Sequence, residues 1–407
     1  MCGFVGFTIS AARSSEVRPF EVNRDERLLR SMLALLSHRG PDQEGVHVSS
    51  SVALGHRRLS VMAPSGGQQP RVDSRLGCAL VYNGEWYDHA RLRRSSATTN
   101  YRDACDTETL FQALQHDAPE RVLPTLRGMF AFAYWDARTH TLTLARDRFG
   151  EKPLYYAYVQ GELIFASEVK ALRLHPALHR VTLDWSALLL YVMMEYIPGA
   201  DTGFVEIKEL PPGHTLTFNV KKKTAPTITA YWSVDNRIAG DGFVREGFVR
   251  EGLVEGNAAP VLETSALETS ANYTQQLESQ LITTVGAQLE ADRALGVFLS
   301  GGVDSSLITA VCKRHRDVVQ TFTVQFPFRS FDESVYAEQV ARALHTQHHT
   351  ITLSQQTCLV GLETLIEKTD TPFADSSLLP TFLLCQAANC HGKVMKLLRV
   401  GTVHKSL

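Results

Sequence analysis

No run of apolar residues in the 407-residue chain approaches the length of a bilayer span, which excludes a helical membrane anchor built from any single segment. The apolar start Phe4–Ile9 has no preceding basic region and is too short for a signal core. Paired cysteines are missing as well. The seven present, Cys2, Cys78, Cys105, Cys312, Cys358, Cys385 and Cys390, are odd in number and lack metal-type spacing, which argues against a disulfide framework and a zinc site. Charge of one sign is also absent: Lys+Arg of 41 against Asp+Glu of 43 leaves −2, so nothing draws the chain toward nucleic acid or an anionic membrane. These absences predict a soluble cytoplasmic protein whose partners are small molecules.

What is present is a chain of 407 residues, 44% of them hydrophobic, enough for two cores. Short β-like runs dominate to about residue 170: Cys2–Ile9, Val52–His56, Cys78–Tyr82, Met129–Asp136, Thr141–Arg146, Leu154–Tyr158 and Leu163–Ala166. Helical patterns lie near Glu26–Ser37 and Thr107–Leu114, which makes the first part a strand-rich α+β domain. From about Tyr273 the rhythm changes to alternation. A helical pattern, a strand at Leu295–Leu299, a helix from Ser305, a strand at Thr321–Gln325, a helix from Ser334 and a strand near Thr350 predict a parallel α/β sheet. The boundaries drawn are a first domain over 2–190, a connecting segment over 191–272 and a second domain over 273–407. Within the connection, 241–270 holds a tandem pentapeptide from Gly242 (Gly-Phe-Val-Arg-Glu, twice, then Gly252-Leu253-Val254-Glu255). It reads as a surface-loop expansion without a function of its own.

Cys2 follows the initiator directly in Met1-Cys2-Gly3-Phe4-Val5-Gly6. Removal of Met1 leaves a thiol and an α-amine on one residue, and an amine with a pKa of about 7.7–8.0 can accept the thiol proton without a histidine. The ordinary alternative is a frayed terminus. Polar clusters sit where the β-like runs end: His38-Arg39-Gly40-Pro41-Asp42, Gly55-His56-Arg57-Arg58-Leu59-Ser60, Tyr82-Asn83-Gly84-Glu85 and Cys105-Asp106-Thr107-Glu108. Singly they are weak, because Asn83-Gly84 is also a common hairpin turn and Asp106 before a helix also an N-cap.

In this order, and continued by Asp147-Arg148-Phe149-Gly150-Glu151-Lys152-Pro153 and Phe165-Ala166-Ser167-Glu168, the clusters resemble the class II glutamine amidotransferase domain, an N-terminal-nucleophile hydrolase sandwich of two antiparallel sheets between helix layers. The resemblance implies that Cys2 attacks the glutamine side-chain amide. It further implies that Asn83 and Gly84 form the oxyanion hole, Arg58 holds the substrate α-carboxylate and Asp106 takes its α-amine. Leu59, Ser60, Val61, Met62 and Glu85 complete the glutamine-binding set it implies. Gly84 is read as leaving room for close approach to the reacting oxygen. Cys105 stands where the family usually has Ser.

In the second domain Leu295-Gly296-Val297-Phe298-Leu299-Ser300-Gly301-Gly302-Val303-Asp304-Ser305-Ser306 joins a buried-type strand to a helix. Small residues there let backbone N–H groups and a helix N-terminus face an anion, so phosphate binding follows. The spacing matches neither G-x-x-x-x-G-K-[ST] nor the dinucleotide fingerprint. It is similar to the pyrophosphatase loop of enzymes that adenylate a substrate. With Thr321–Val324, Phe331-Asp332-Glu333-Ser334 and Thr371-Pro372-Phe373-Ala374-Asp375-Ser376-Ser377, the whole order resembles glutamine-hydrolysing asparagine synthetase.

That resemblance implies ATP, entering with Mg2+, held by Leu299, Ser300, Gly301, Gly302, Ser305 and Val324. Asp304, by its charge, either helps hold Mg2+ against the phosphates or caps the helix. His345, His348 and His349 read as surface histidines, and no resident metal site is implied. After Lys393-Val394 the family continues with a second acidic Ser-Gly-x-Gly-x-Asp-Glu loop, and this sequence does not. A truncated or frame-shifted gene product is one reading of this, and a true shortened protein is the other. The implied reaction is ATP-dependent amidation of aspartate by a possible homodimer, with two alternatives: a glutaminase-only or regulatory form, or another carboxylate acceptor.

Overall fold

The structure is a computed structural model that describes residues 1–9, 19–63, 65–95, 101–222, 224–234, 265–327, 332–391 and 396–398. The pentapeptide expansion, Phe331, Lys393 and the residues after Leu398 lie outside the described residues.

Among the described residues twelve strands build the first domain: β1 (Gly3–Thr8), β2 (Gln43–Val48), β3 (Val52–Arg58), β4 (Arg71–Asp73), β5 (Cys78–Trp86), β6 (Gly128–Asp136), β7 (Thr141–Arg146), β8 (Tyr155–Val159), β9 (Glu162–Ala166), β10 (Lys208–Glu209), β11 (His214–Asn219) and β12 (Thr227–Ala230). They form two six-stranded antiparallel sheets, ordered β10-β8-β9-β1-β3-β2 and β12-β11-β7-β6-β5-β4. Strand alternation explains the stacking. Along β1, Phe4 faces the second sheet and packs in one cluster with Leu54, Ala79, Val81 and Phe165, while Val5 and Phe7 face outward onto Leu29, Met32 and Leu33 of the helix Pro19–Ala34.

Along β5, Ala79 and Val81 face the inter-sheet layer, whereas Leu80 and Tyr82 face Leu110, Phe111 and Leu114 of the helix Asp106–His116. Both faces of the inner strands are thus covered, which is why β1 is buried at every position. At about 1.5–3 kcal/mol for each fully buried large apolar side chain, these two interfaces fix the order of the four layers.

The predicted fold class is the one observed, with shifts in detail. β5 runs four residues beyond Tyr82, so Asn83-Gly84 is strand and not a hairpin turn: Asn83 pairs with Ala131 and Gly84 with Phe130. The long partner β6 overrides the local turn preference. The predicted connecting segment is also reassigned in part. β10 pairs with β8 and β11 with β7, so residues up to Ala230 belong to the first domain's sheets. The helix read near Tyr273 spans Ser265–Gln288, taking in the last six residues of 241–270.

The second domain carries the parallel strands β13 (Leu295–Phe298), β14 (Gln320–Gln325), β15 (Gln347–Thr352) and β16 (Lys396–Leu398), in the order β15-β14-β13-β16. Successive strands move from β13 toward β15 and the last returns to the other side of β13. A parallel sheet binds ligands outside the carboxyl ends of its strands at such a reversal, and the segment after β13 is the glycine-rich turn. The two domains touch through Asp292 Oδ2, which accepts the Ala63 N–H at 2.7 Å, and Arg293 Nε, which donates to the Ser60 carbonyl at 3.2 Å. On another side the Lys170 N–H donates to Asp370 Oδ2 at 2.6 Å and Lys170 Nζ to the Lys368 carbonyl at 2.7 Å.

Candidate active site

The chain start is tied down rather than frayed. Phe4 N–H donates to Ser167 Oγ at 3.0 Å, Arg39 Nε donates to the Cys2 carbonyl at 3.0 Å, and the Leu59 N–H points at Cys2 Sγ at 3.4 Å. Arg39 is itself held by Glu168 at 3.0 Å, a carboxylate that also meets His38 and Lys170. The Met1 α-amine has its pKa lowered to about 5, first by burial and then by the Arg39 and Lys152 charges, against the opposing effects of Cys2 and Asp42.

Alternation places Asn83 in the same layer. Val81, two residues earlier on β5, shares a cluster with Phe4, two residues after Cys2, so Cys2 and Asn83 each lie one step further along the inter-sheet space. Asn83 is 1% exposed, and its Nδ2 has no hydrogen-bond partner. A buried amide donor without a partner is costly, about 1–3 kcal/mol, and marks a group reserved for a ligand. The neighbouring backbone shows the same arrangement. Tyr82 N–H donates to Gln69 Oε1 at 2.7 Å and Trp86 N–H to Asp106 Oδ2 at 2.9 Å, both off the β6 side. By the two-residue period of an antiparallel ladder, the Gly84 N–H between them faces the same way. The glycine itself is demanded from behind, where a Cβ would stand 2.4 Å from the Met129 carbonyl oxygen and 2.7 Å from Phe130 Cα. The room that Gly84 provides is therefore toward β6, which corrects the sequence expectation.

Buried His56, whose pKa is pushed down to about 3, chiefly by burial, stays neutral and binds the Tyr82 carbonyl through Nε2 at 3.0 Å. Gln69 Nε2 shares that carbonyl, so the Gln69 amide acts as a short extra strand on the free edge of β5. Sequence reasoning missed Gln69 because its glutamine–proline setting reads as a loop.

Leu59–Met62 lie in the loop after β3. Ser60 N–H donates to Asp42 Oδ2 at 2.7 Å, which gives the acidic end of His38–Asp42 its role. Arg58 is buried, and its guanidinium is fully engaged on one edge. Nη1 donates to Gln43 Oε1 and to the Gly66 carbonyl, and Nη2 to the carbonyls of Met62 and Ala63 at 2.7 and 2.9 Å. Asp106 is the first helical residue and not the N-cap, which is Cys105; Asp106 Oδ1 accepts the Thr107 N–H at 2.7 Å and Oδ2 the Trp86 N–H. Glu85, next to Gly84 on β5, is also buried. A cleft of about 960 Å3 opens beside the loop, lined by Ala63, Gly66, Gln68, Arg71, Asp103 and Asp292; Cys2, Asn83 and Asp106 are not among its lining residues.

In the second domain Leu299 N–H donates to the Phe322 carbonyl at 2.9 Å, and Leu299 and Val324 stand at the carboxyl ends of the adjacent parallel strands β13 and β14. The turn Ser300–Gly302 is braced by Ser305, whose Oγ lies 3.1 Å from Ser300 Oγ and donates to the Gly302 carbonyl at 3.2 Å. Gly301 has φ +84°, and a Cβ there would meet Ala337 N and Tyr336 Cβ at 2.6 Å. Gly302 caps the helix Val303–His315 without a side-chain bond, and Asp304 is exposed in its first turn. His348 and His349 are half-buried instead of lying on the surface. His348 Nδ1 lies 2.9 Å from Thr321 Oγ1, and His349 stacks on Phe322. Among the described residues no cluster of His, Cys, Asp and Glu could hold a metal, and no helix is long and apolar enough to cross a membrane.

Comparison with known proteins matches residues 1–232 to a glutamine amidotransferase domain and 276–396 to an asparagine synthase domain. A glutamine-hydrolysing asparagine synthetase of Bacillus subtilis is 30% identical over 394 residues, covering 96% of this chain and 56% of that protein. A putative asparagine synthetase of Mycobacterium tuberculosis is 31% identical, covering 97% and 58%. An amidase of Penicillium rubens is 28% identical, covering 96% and 56%. The chain thus spans about half the length of these curated relatives. Among solved structures, a phosphoribosylpyrophosphate amidotransferase of B. subtilis is 13% identical with a TM-score of 0.40, covering 92% of this chain and 72% of that one.

Proposed function

Since this chain belongs to the glutamine-hydrolysing asparagine synthetase family, we propose that it releases ammonia from glutamine at Cys2 and uses ATP to amidate aspartate. The observation that carries the first half is the unpartnered, buried Asn83 amide in the same layer as the terminal thiol. After Met1 is removed, the Cys2 α-amine takes the thiol proton and the thiolate attacks the side-chain carbonyl carbon of glutamine. Asn83 Nδ2 and the Gly84 N–H donate to the resulting oxyanion, where one such donor is worth about 10²–10³ in rate. The C–N bond then breaks, the ammonium of Cys2 returns its proton to the leaving nitrogen, and ammonia departs from a glutamyl thioester. Water hydrolyses the thioester to glutamate and restores the thiol.

For the second half, the turn Ser300–Gly302 and the N-terminus of Val303–His315 form the phosphate cradle, at the carboxyl edge of a parallel sheet. Asp304 would offer its carboxylate to the Mg2+ accompanying ATP, which would supply neutralisation of phosphate charge. Aspartate is activated as its acyl-adenylate, pyrophosphate leaves, and ammonia displaces AMP. Transfer within the protein keeps ammonia from becoming ammonium, which is no nucleophile.

The test is direct. Mature protein is expected to form glutamate from glutamine, and, with aspartate and ATP, asparagine and AMP. Cys2→Ala abolishes the glutamine-dependent reactions and spares synthesis from added ammonia. Glutamine hydrolysis that survives Cys2→Ala would sink the assignment, while glutamate formed without AMP would confine the activity to the first domain.

A further inference from the structure

The segment Arg146–Lys152 is pinned at every step. Asp147 accepts backbone N–H bonds from Phe130, Phe149, Glu151 and Lys152, and Arg146 donates to the carbonyls of Gly150, Lys152 and Leu210 while paired with Glu209 at 2.9 Å. This rigid turn delivers the Lys152 side chain into the interior at 6% exposure, where Nζ ends 3.4 Å from Met1 Sδ. Lysine is almost never buried without a carboxylate, and a thioether is a poor acceptor. The glutamine chemistry proposed above assigns Lys152 no part.

We propose that Lys152 is a positioning residue for the nucleophile: its buried ammonium, held against the N-terminal residue, stabilises the Cys2 thiolate once Met1 is gone. The inference rests on the glutaminase reading of Cys2. Lys152 forms and breaks no bond in it. The thiol proton goes to the α-amine, and the lysine keeps its own three protons throughout.

The surrounding charges favour this assignment. Arg39, the other nearby cation, is neutralised by Glu168, which in turn holds His38 and Lys170. Asp42 is occupied by the Ser60 N–H, Asp147 by four backbone N–H groups, and His56 is neutral. Glu151, next to Lys152, has its own pKa raised, by burial first and by Asp147 second. Burial and Arg39 lower the Lys152 pKa, whereas Glu151, Asp147 and Cys2 raise it, so a developing thiolate and the lysine charge support each other.

The experiment follows alkylation of Cys2 by iodoacetamide against pH in the mature protein, read by mass spectrometry of the N-terminal peptide. With Lys152→Met, and with Lys152→Gln as a second variant should the first not fold, the midpoint is expected to move up by about one pH unit. Lys152→Arg restores it. The acid limb of kcat/KM for glutamine moves the same way. A midpoint that stays in place in a folded Lys152 variant overturns the proposal. Wild-type protein that alkylates normally but hydrolyses no glutamine overturns the glutaminase reading instead, and the alkylation comparison still decides the role of Lys152.

Discussion

At the scale of single residues, the site is a matter of which polar groups remain unpaired inside a well-satisfied interior. Asn83 Nδ2 is such a group, and its removal has a calculable effect. Asn83→Ala is expected to lower kcat for glutamine hydrolysis by about 10²–10³, roughly 2.7–4 kcal/mol, with KM little changed, because the donor meets charge that exists only in the transition state. Steady-state kinetics would refute this if KM alone rose. Cys2, Asn83, Gly84 and Asp106 are proposed from the sequence because each stands within a compact motif. The partners that fix them are not: Glu168 reaches Arg39 across 129 positions and Gln69 reaches Tyr82 across 13, separations that local patterns do not encode.

At the scale of elements, legibility followed burial. The inner strands β1 and β6 are apolar on both faces or nearly so, β7 alternates threonine with leucine, and their runs announce them. β12, Thr227–Ala230, is exposed along its whole length and gave no signal, and β2, with one exposed and five half-buried positions, gave little. β5 was cut short because Asn-Gly favours a turn until a nine-residue partner pairs with it. The glycine-rich turn after β13 is the opposite case, since one of its glycines, Gly301, is required by geometry and is visible as such. Gly301→Ala forces a left-handed backbone on alanine and drives a methyl group into Tyr336 and Ala337. The expected result is loss of ATP-dependent AMP formation with glutamine hydrolysis kept within about twofold, the two domains having separate cores. Loss of both activities in parallel would contradict that separation.

At the scale of the whole molecule, Glu168 stands between the chain start and the second domain. It binds Arg39 and His38 on one side and, on the other, Lys170, which bonds to Lys368 and Asp370. Burial alone would raise its pKa, but the His38 hydrogen bond and the Arg39 and Lys170 charges bring it down to about 2. A folded-state pKa below the unfolded one means stability that is fully present above about pH 4.5 and is lost as pH falls toward 2. The whole effect is roughly 3 kcal/mol, with about 1–1.5 kcal/mol gone by pH 3.5. Urea titrations at pH 7 and pH 3.5 should show an acid loss smaller by that amount in Glu168→Gln than in wild type; an equal acid loss in both proteins would place the effect elsewhere.

The engaged guanidinium of Arg58 has a further consequence. Four of its five donors already hold Gln43 and the carbonyls of Met62, Ala63 and Gly66, so the loop is latched by the residue assigned to grip the substrate. A carboxylate gripped by two donors must displace some of those oxygens, because these contacts leave only Nε outside them. Substrate capture and unlatching are then one competition, and the affinity measured for glutamine is the intrinsic affinity reduced by the work of opening the loop.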